Sequence, residues 1–202
     1  AVSLGNSYVF IAMSIGIGFS AAITPIVAEA HSEGNQNKLK KSFINGFILC
    51  LILGTVLYAL VLVLKNTLIY LDQPVEVVKL ALPYIDIVAI SLIPLLLFQA
   101  LKQYTDGLSR TIYPMYATVV ANIINVIINY ILIFGMLGFP KLGIIGAAIG
   151  TLISRIIMFV FLFYMLMDKK IIYNYMSDLK SFIYDKFMIE EILSLGFPTS
   201  LQ

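Results

Sequence analysis

Apolar positions dominate this chain, and their run lengths rather than their periodicity carry the first signal. Five segments, roughly Ser3–Ala30, Phe43–Leu64, Leu80–Leu101, Met115–Phe134 and Leu142–Met167, are each long enough to cross a hydrocarbon core about 30 Å thick. A sixth apolar pattern begins near Ile192. No long polar insertion separates them, so no soluble domain is expected between spans. From Ile171 to Leu193 the pattern changes. Ile172, Tyr175, Met176, Leu179, Phe182, Ile183 and Phe187 recur at helical spacing, with Asp178, Lys180, Asp185, Lys186, Glu190 and Glu191 falling mostly between them. That pattern predicts an amphipathic helix along the membrane interface, tethering one part of the protein to the next.

Composition agrees with the run lengths. The 202 residues are 60% hydrophobic and 12% charged, with a mean hydropathy of +0.98, whereas a soluble domain carries about 25% charged residues. The expected fold class is all-α, a polytopic transmembrane helical bundle. A net charge of +2, spread along the chain, gives no basic surface for nucleic acid. The single cysteine, Cys50, sits in an apolar helix and reads as a small buried hydrophobe. The chain starts at Ala1 rather than Met and stops inside a new apolar pattern, which predicts an internal piece of a longer membrane protein.

Lys and Arg set the expected orientation, because cytoplasmic loops carry the excess of positive residues. The connections His31–Lys41, Lys102–Tyr113 and Asp168–Glu191 hold nine of them, and the opposite connections hold three, Lys65, Lys79 and Lys141. The first group therefore lies in the cytoplasm, and an odd number of spans, most simply one, precedes Ala1.

Polar residues inside the spans carry the functional signal, since each needs partners away from lipid. Asn122, Asn125 and Asn129 stand at i, i+3 and i+7 in an otherwise apolar helix, on one face. Three amides exceed what one helix contact needs and point to a cavity, where Asn125 and Asn129 could aim oxygens at one proton or Na⁺. Arg155 lies near the middle of the fifth segment with Thr151 one turn before it. It requires a carboxylate, carbonyls or water; Asp86 is the carboxylate at comparable depth, and the expected partner is either Asp86 or a residue of the preceding span. Gln99 and Gln103, near the inner end of the third segment, are further candidates for the same cavity. Pro25 and Pro94 each remove a backbone bond and permit bending, and the runs Gly16–Gly18 and Gly146–Gly150 predict close helix packing. His31 reads as a solvated loop residue. No zinc spacing, nucleophile–base pair or phosphate-binding loop is present, so the chain does not read as an enzyme.

Several stretches together resemble one family. GIGFSAAITPIVAEAHSEGN (16–35), KQYTDGLSRTIYPM (102–115), NIINVIINYILIFG (122–135), GIIGAAIGTLISR (143–155) and LSLGFPTSLQ (193–202) are similar, in order, to parts of the multidrug and toxic compound extrusion (MATE) transporters. The resemblance implies a twelve-span, two-lobe antiporter of which this chain is the amino-terminal lobe: spans two to six over 1–167, an inter-lobe linker over 168–191 and the start of span seven over 192–202. It implies export of small cationic, amphipathic drugs or metabolites in exchange for H⁺ or Na⁺, with no other cofactor. The protein would sit in the cytoplasmic membrane, with membrane lipids and the carboxy-terminal lobe as partners. It also implies a cation site, carried over here onto Asn125, Asn129 and Thr151, with Gln103 or Gln99 as the span-four amide and a carboxylate from the span before Ala1. Some relatives carry aspartate where this chain has Asn129, which leaves the charge to that preceding carboxylate. Arg155 joins the same expected cavity. Two alternatives are a lipid-linked oligosaccharide flippase of the same superfamily, which would call for more inward-facing cations than Arg155, and a non-transporting membrane subunit.

Overall fold

A computed structural model describes residues 2–65, 75–173 and 185–200. The described residues form α1 (Val2–Ala21), α2 (Ile23–Ser32), α3 (Gln36–Leu64), α4 (Val75–Ile90), α5 (Leu92–Gly107), α6 (Ile112–Phe134), α7 (Ile144–Asp168) and α8 (Lys186–Ser200). Five helical stretches among them are long and apolar enough to cross a membrane: Val9–Ser32, Gln36–Leu64, Ala81–Gly107, Ile112–Phe134 and Ile144–Asp168. The described residues form an all-helical bundle with five candidate membrane spans.

Two of the expected spans are not continuous helices. The first breaks at Ala22 and the third at Ser91. Each break follows the residue four before a proline: α1 ends at Ala21 and α4 at Ile90, ahead of Pro25 and Pro94. A proline has no N–H for the carbonyl four residues back, and its ring crowds that carbonyl. Both prolines sit in the first turn of the next helix, where the missing donor does no harm. A buried serine attends each break. Ser20 Oγ donates to the Ile17 carbonyl at 2.7 Å and Ser91 Oγ to the Val88 carbonyl at 2.6 Å, the local backbone bonding that serine offers in apolar helices.

The third span is the axis of the bundle. About 56% of its apolar window is buried, against 17% for α6. Ile85, Leu92, Leu96, Leu101 and Tyr104 along it are almost fully enclosed. Around it α1, α2, α3 and α7 pack directly, and α6 lies outside, mainly against α7. Close approaches depend on glycine. A Cβ on Gly107 would meet Val27 Cβ at 2.7 Å and the Thr24 carbonyl at 2.8 Å, which locks α2 onto α5. On Gly146 it would meet the Leu132 backbone at 2.8 Å, so the expected packing of 146–150 is seen between α7 and α6.

The third span also extends beyond its apolar run. α5 continues through Lys102, Gln103 and Asp106 to Gly107, with Lys102 Nζ held by Asp106 at 2.8 Å one turn on. Of the expected amphipathic helix over 171–193, residues 174–184 lie outside the described residues. Ile172 before them and Met188 after them are buried. α8 runs without interruption across the expected linker end at 191, packing on α1 and α3.

Asp185 fixes the start of α8. Its Oδ1 accepts from the N–H groups of Phe187 (3.1 Å) and Met188 (3.2 Å), and its Oδ2 pairs with Lys41 Nζ of α3 at 2.8 Å. The bond from Lys41, then the one from the Met188 N–H, holds this carboxyl below the usual aspartate value. A lowered native value means the contribution is present above the unfolded value, about 3.9, and is lost as pH falls through the native one. Asp185→Asn keeps an acceptor for the cap but loses the ion pair at all pH. Its melting temperature is therefore expected to lie below wild type at neutral pH, the two curves converging on acidification below about pH 3.9.

Candidate functional site

α6 and α7 line an open cavity of about 210 Å³ between two of the candidate spans. α6 contributes Ala121, Asn122 and Asn125; α7 contributes Thr151, Ser154, Arg155 and Met158. The helices present polar groups here because Asn122 and Asn125 share a face, as do Thr151, Ser154 and Arg155 on the turns opposite.

The hydroxyls donate back to their own helix, Thr151 Oγ1 to the Ala147 carbonyl at 2.9 Å and Ser154 Oγ to the Gly150 carbonyl at 2.7 Å. Each oxygen therefore retains lone pairs as an acceptor. Asn129 lies one turn from Asn125, and its Nδ2 donates to Asn125 Oδ1 at 3.0 Å. Its own Oδ1 is buried without a donor among the described residues. The Asn129 amide occupies the space over Gly150, where a Cβ would collide with Oδ1. So Asn122, Asn125, Thr151 and Arg155 share the cavity, and Asn129 joins it through Asn125.

Arg155 reaches across the bundle. Nη1 donates to Ser91 Oγ at 2.7 Å and Nη2 approaches Met13 Sδ at 3.4 Å. The expected Arg155–Asp86 pair is not formed. Asp86 instead pairs with Lys65 at the end of α3, and it precedes Ser91 by five residues, about 7.5 Å along a helix. The guanidinium is thus tied to the break in the third span by a neutral hydroxyl.

The two glutamines lie elsewhere. Gln103 Oε1 accepts from Thr24 Oγ1 at 2.6 Å, and the Gln103 carbonyl lies 3.2 Å from the same hydroxyl, so its amide joins α5 to α2. Gln99 Oε1 is buried with no donor among the described residues, and Gln99 does not line the cavity. Ser91, Ser154 and Met13 were not singled out from the sequence. Ser91 carried a signal nonetheless, a small polar residue three positions before a proline inside an apolar span.

The MatE family model matches residues 1–131. A probable multidrug resistance protein NorM of Rhizobium meliloti is 34% identical over 152 residues, 75% of this chain and 32% of the relative. The multidrug resistance protein NorM of Photobacterium profundum is 28% identical over 201 residues, 99% of this chain and 44% of that one. The outward-facing conformation of a multidrug resistance MATE family transporter of the MOP superfamily superposes with a TM-score of 0.84. It is 24% identical over 99% of this chain and 44% of its own. An inward-facing conformation gives a TM-score of 0.83 at 22% identity, over 98% of this chain and 44% of its own. The chain spans less than half the length of these relatives.

Proposed function

The chain belongs to the MATE transporter family, and from that premise we propose that it forms the amino-terminal lobe of an ion-coupled antiporter exporting small cationic, amphipathic compounds from the cell. The observation that carries this reading is the polar cavity between α6 and α7, with the Asn125–Asn129 amide pair at its edge. An acceptor buried without a donor, such as Asn129 Oδ1, costs about 1–3 kcal/mol. A cation with oxygen affinity would recover part of that cost, using the amide oxygens and Thr151 Oγ1 as ligands, much as half-helix carbonyls serve Na⁺ and H⁺ in other secondary transporters.

Among the described residues the lining of this cavity has Arg155 and no carboxylate. Its charge is therefore positive as it stands, and a coupling cation enters only if an acidic group is supplied from beyond these residues. Because Arg155 is bonded to Ser91 at the break of the third span, a change of charge in the cavity would bear directly on that break. Ion entry would then favour one bend of the third span and lower the affinity of the lobe for its drug.

Efflux of a fluorescent cationic dye from cells lacking their own exporters tests this reading. Expression of the intact protein should lower dye retention while an H⁺ or Na⁺ gradient stands, and retention should return when both are dissipated. Replacing Na⁺ by choline at constant pH separates the two ions. Efflux that continues after both gradients collapse would sink the proposal.

A further inference from the structure

At the end of the bundle that the charge rule assigns to the cytoplasm, three connections far apart in sequence converge on a second cleft, of about 220 Å³. His31 comes from the end of α2, Gln36 from the start of α3, Arg110 from the α5–α6 turn, and Lys169 and Lys170 from beyond α7. Buried Leu39 and Tyr104 form its floor. Among the described residues the lining includes three cations and an imidazole but no carboxylate.

The backbone fixes the cations in place. Ser109 and Lys170 adopt positive φ, 58° and 55°, conformations that only a constrained turn imposes on residues other than glycine. The Arg110 N–H donates to the Thr105 carbonyl at 2.8 Å, and the Lys170 N–H donates to the Met167 carbonyl at 3.0 Å. Lys169 pairs with Asp168 at 3.5 Å, both more than half exposed, a contact of small value in water. Among the described residues Arg110 and Lys170 have no carboxylate partner. Three cations gathered around one cleft repel one another, and an anion seated between them removes that repulsion.

We propose that this cleft binds the phosphodiester headgroup of an anionic phospholipid of the inner leaflet. A phosphate offers two non-bridging oxygens to the planar fork of Arg110 and to the lysine ammonium. At about 30 Å³ per water in the liquid, the cleft holds roughly seven waters, room for a headgroup phosphate. Free phosphate shares this chemistry, but the surroundings select a lipid. Ile112 and Tyr116, directly after Arg110 on α6, are 49% and 48% exposed, an apolar track along which acyl chains can lie. Basic pockets between helices on the cytoplasmic side are the usual seats of anionic headgroups.

Thermal melting of the purified protein in detergent tests the assignment, with phosphatidylglycerol, phosphatidylcholine or inorganic phosphate added at matched ionic strength. Phosphatidylglycerol should raise the melting temperature of wild type and of Lys141→Ala, a cation on the opposite side. The Arg110→Ala/Lys170→Ala variant should need roughly 25-fold more lipid for the same rise, at about fivefold per basic residue. Should that variant fail to fold, Lys170→Gln alone, at an exposed position, should need about fivefold more. An equal rise with inorganic phosphate or phosphatidylcholine overturns the lipid assignment, as does an undiminished response in the variants. Dye efflux plays no part in this readout, so it stands or falls separately from the transport reading.

Discussion

Asn125→Ala and Asn129→Ala are each expected to abolish ion-driven dye efflux, and to move stability in different directions. The asymmetry follows from how the two amides are paired. Asn129 donates to Asn125 Oδ1 at 3.0 Å and leaves its own oxygen buried without a donor. Asn129→Ala removes that orphan together with the hydrogen bond. A net hydrogen bond is worth about 0.5–1.5 kcal/mol and an orphaned buried acceptor costs about 1–3 kcal/mol, so the melting temperature should hold or rise slightly. Asn125→Ala removes only the acceptor and strands both ends of the Asn129 amide, a further cost of about 1–3 kcal/mol. Gly150→Ala is the complementary probe, because its methyl would collide with Asn129 Oδ1. It displaces the amide without deleting it and should also stop efflux. The amide pair is not the cation site if both alanine variants pump at the wild-type rate.

Why the amide stripe was legible, and its arrangement was not, has a physical basis. Helical spacing alone puts Asn122, Asn125 and Asn129 on one face, and lipid cannot satisfy them. Which of the three faces open space depends on the neighbouring helix. Gly150 lets α7 come close enough for Asn129 to fill the gap, whereas Asn122 and Asn125 stay on the cavity wall. Gln103 shows the same limit. Its partner Thr24 is 79 positions away, and no single-helix pattern brings the two together. Span existence was readable from apolar run length, but the breaks at Ala22 and Ser91 lie inside runs that hydropathy reads as continuous. Their positions follow from the carbonyl four residues before each proline, a geometric rule rather than a hydropathy signal. Arg155 was flagged because a buried cation must be answered. A carboxylate, carbonyls or water could each answer it on sequence grounds, and a serine hydroxyl at the helix break does so here.

Arg155→Leu is expected to give a folded protein, at least as stable as wild type, that no longer transports. Holding an arginine at mid-membrane depth costs about 2.5–3.5 kcal/mol on insertion scales. Among the described residues its hydrogen bonds go to one hydroxyl and one thioether, and these return less, since interhelical hydrogen bonds in membrane proteins average about 0.6 kcal/mol and reach about 1.7. On energy alone leucine is therefore the better residue at this position. What leucine cannot supply is the tie from the α7 wall of the cavity to Ser91 at the break of the third span. Arg155→Lys keeps the charge but has no fork to reach Ser91 Oγ and Met13 Sδ together, so it should lose most of its efflux as well. A Ser91→Ala/Arg155→Leu double-mutant cycle then separates the roles. A coupling in melting free energy no larger than about 1.7 kcal/mol, alongside loss of efflux in every arm that lacks the bond, marks Arg155 as a positioning residue that sets the bend of the third span. If Arg155→Leu melts earlier than wild type yet still pumps dye, the guanidinium is a structural strut and the coupling between cavity and break must lie elsewhere.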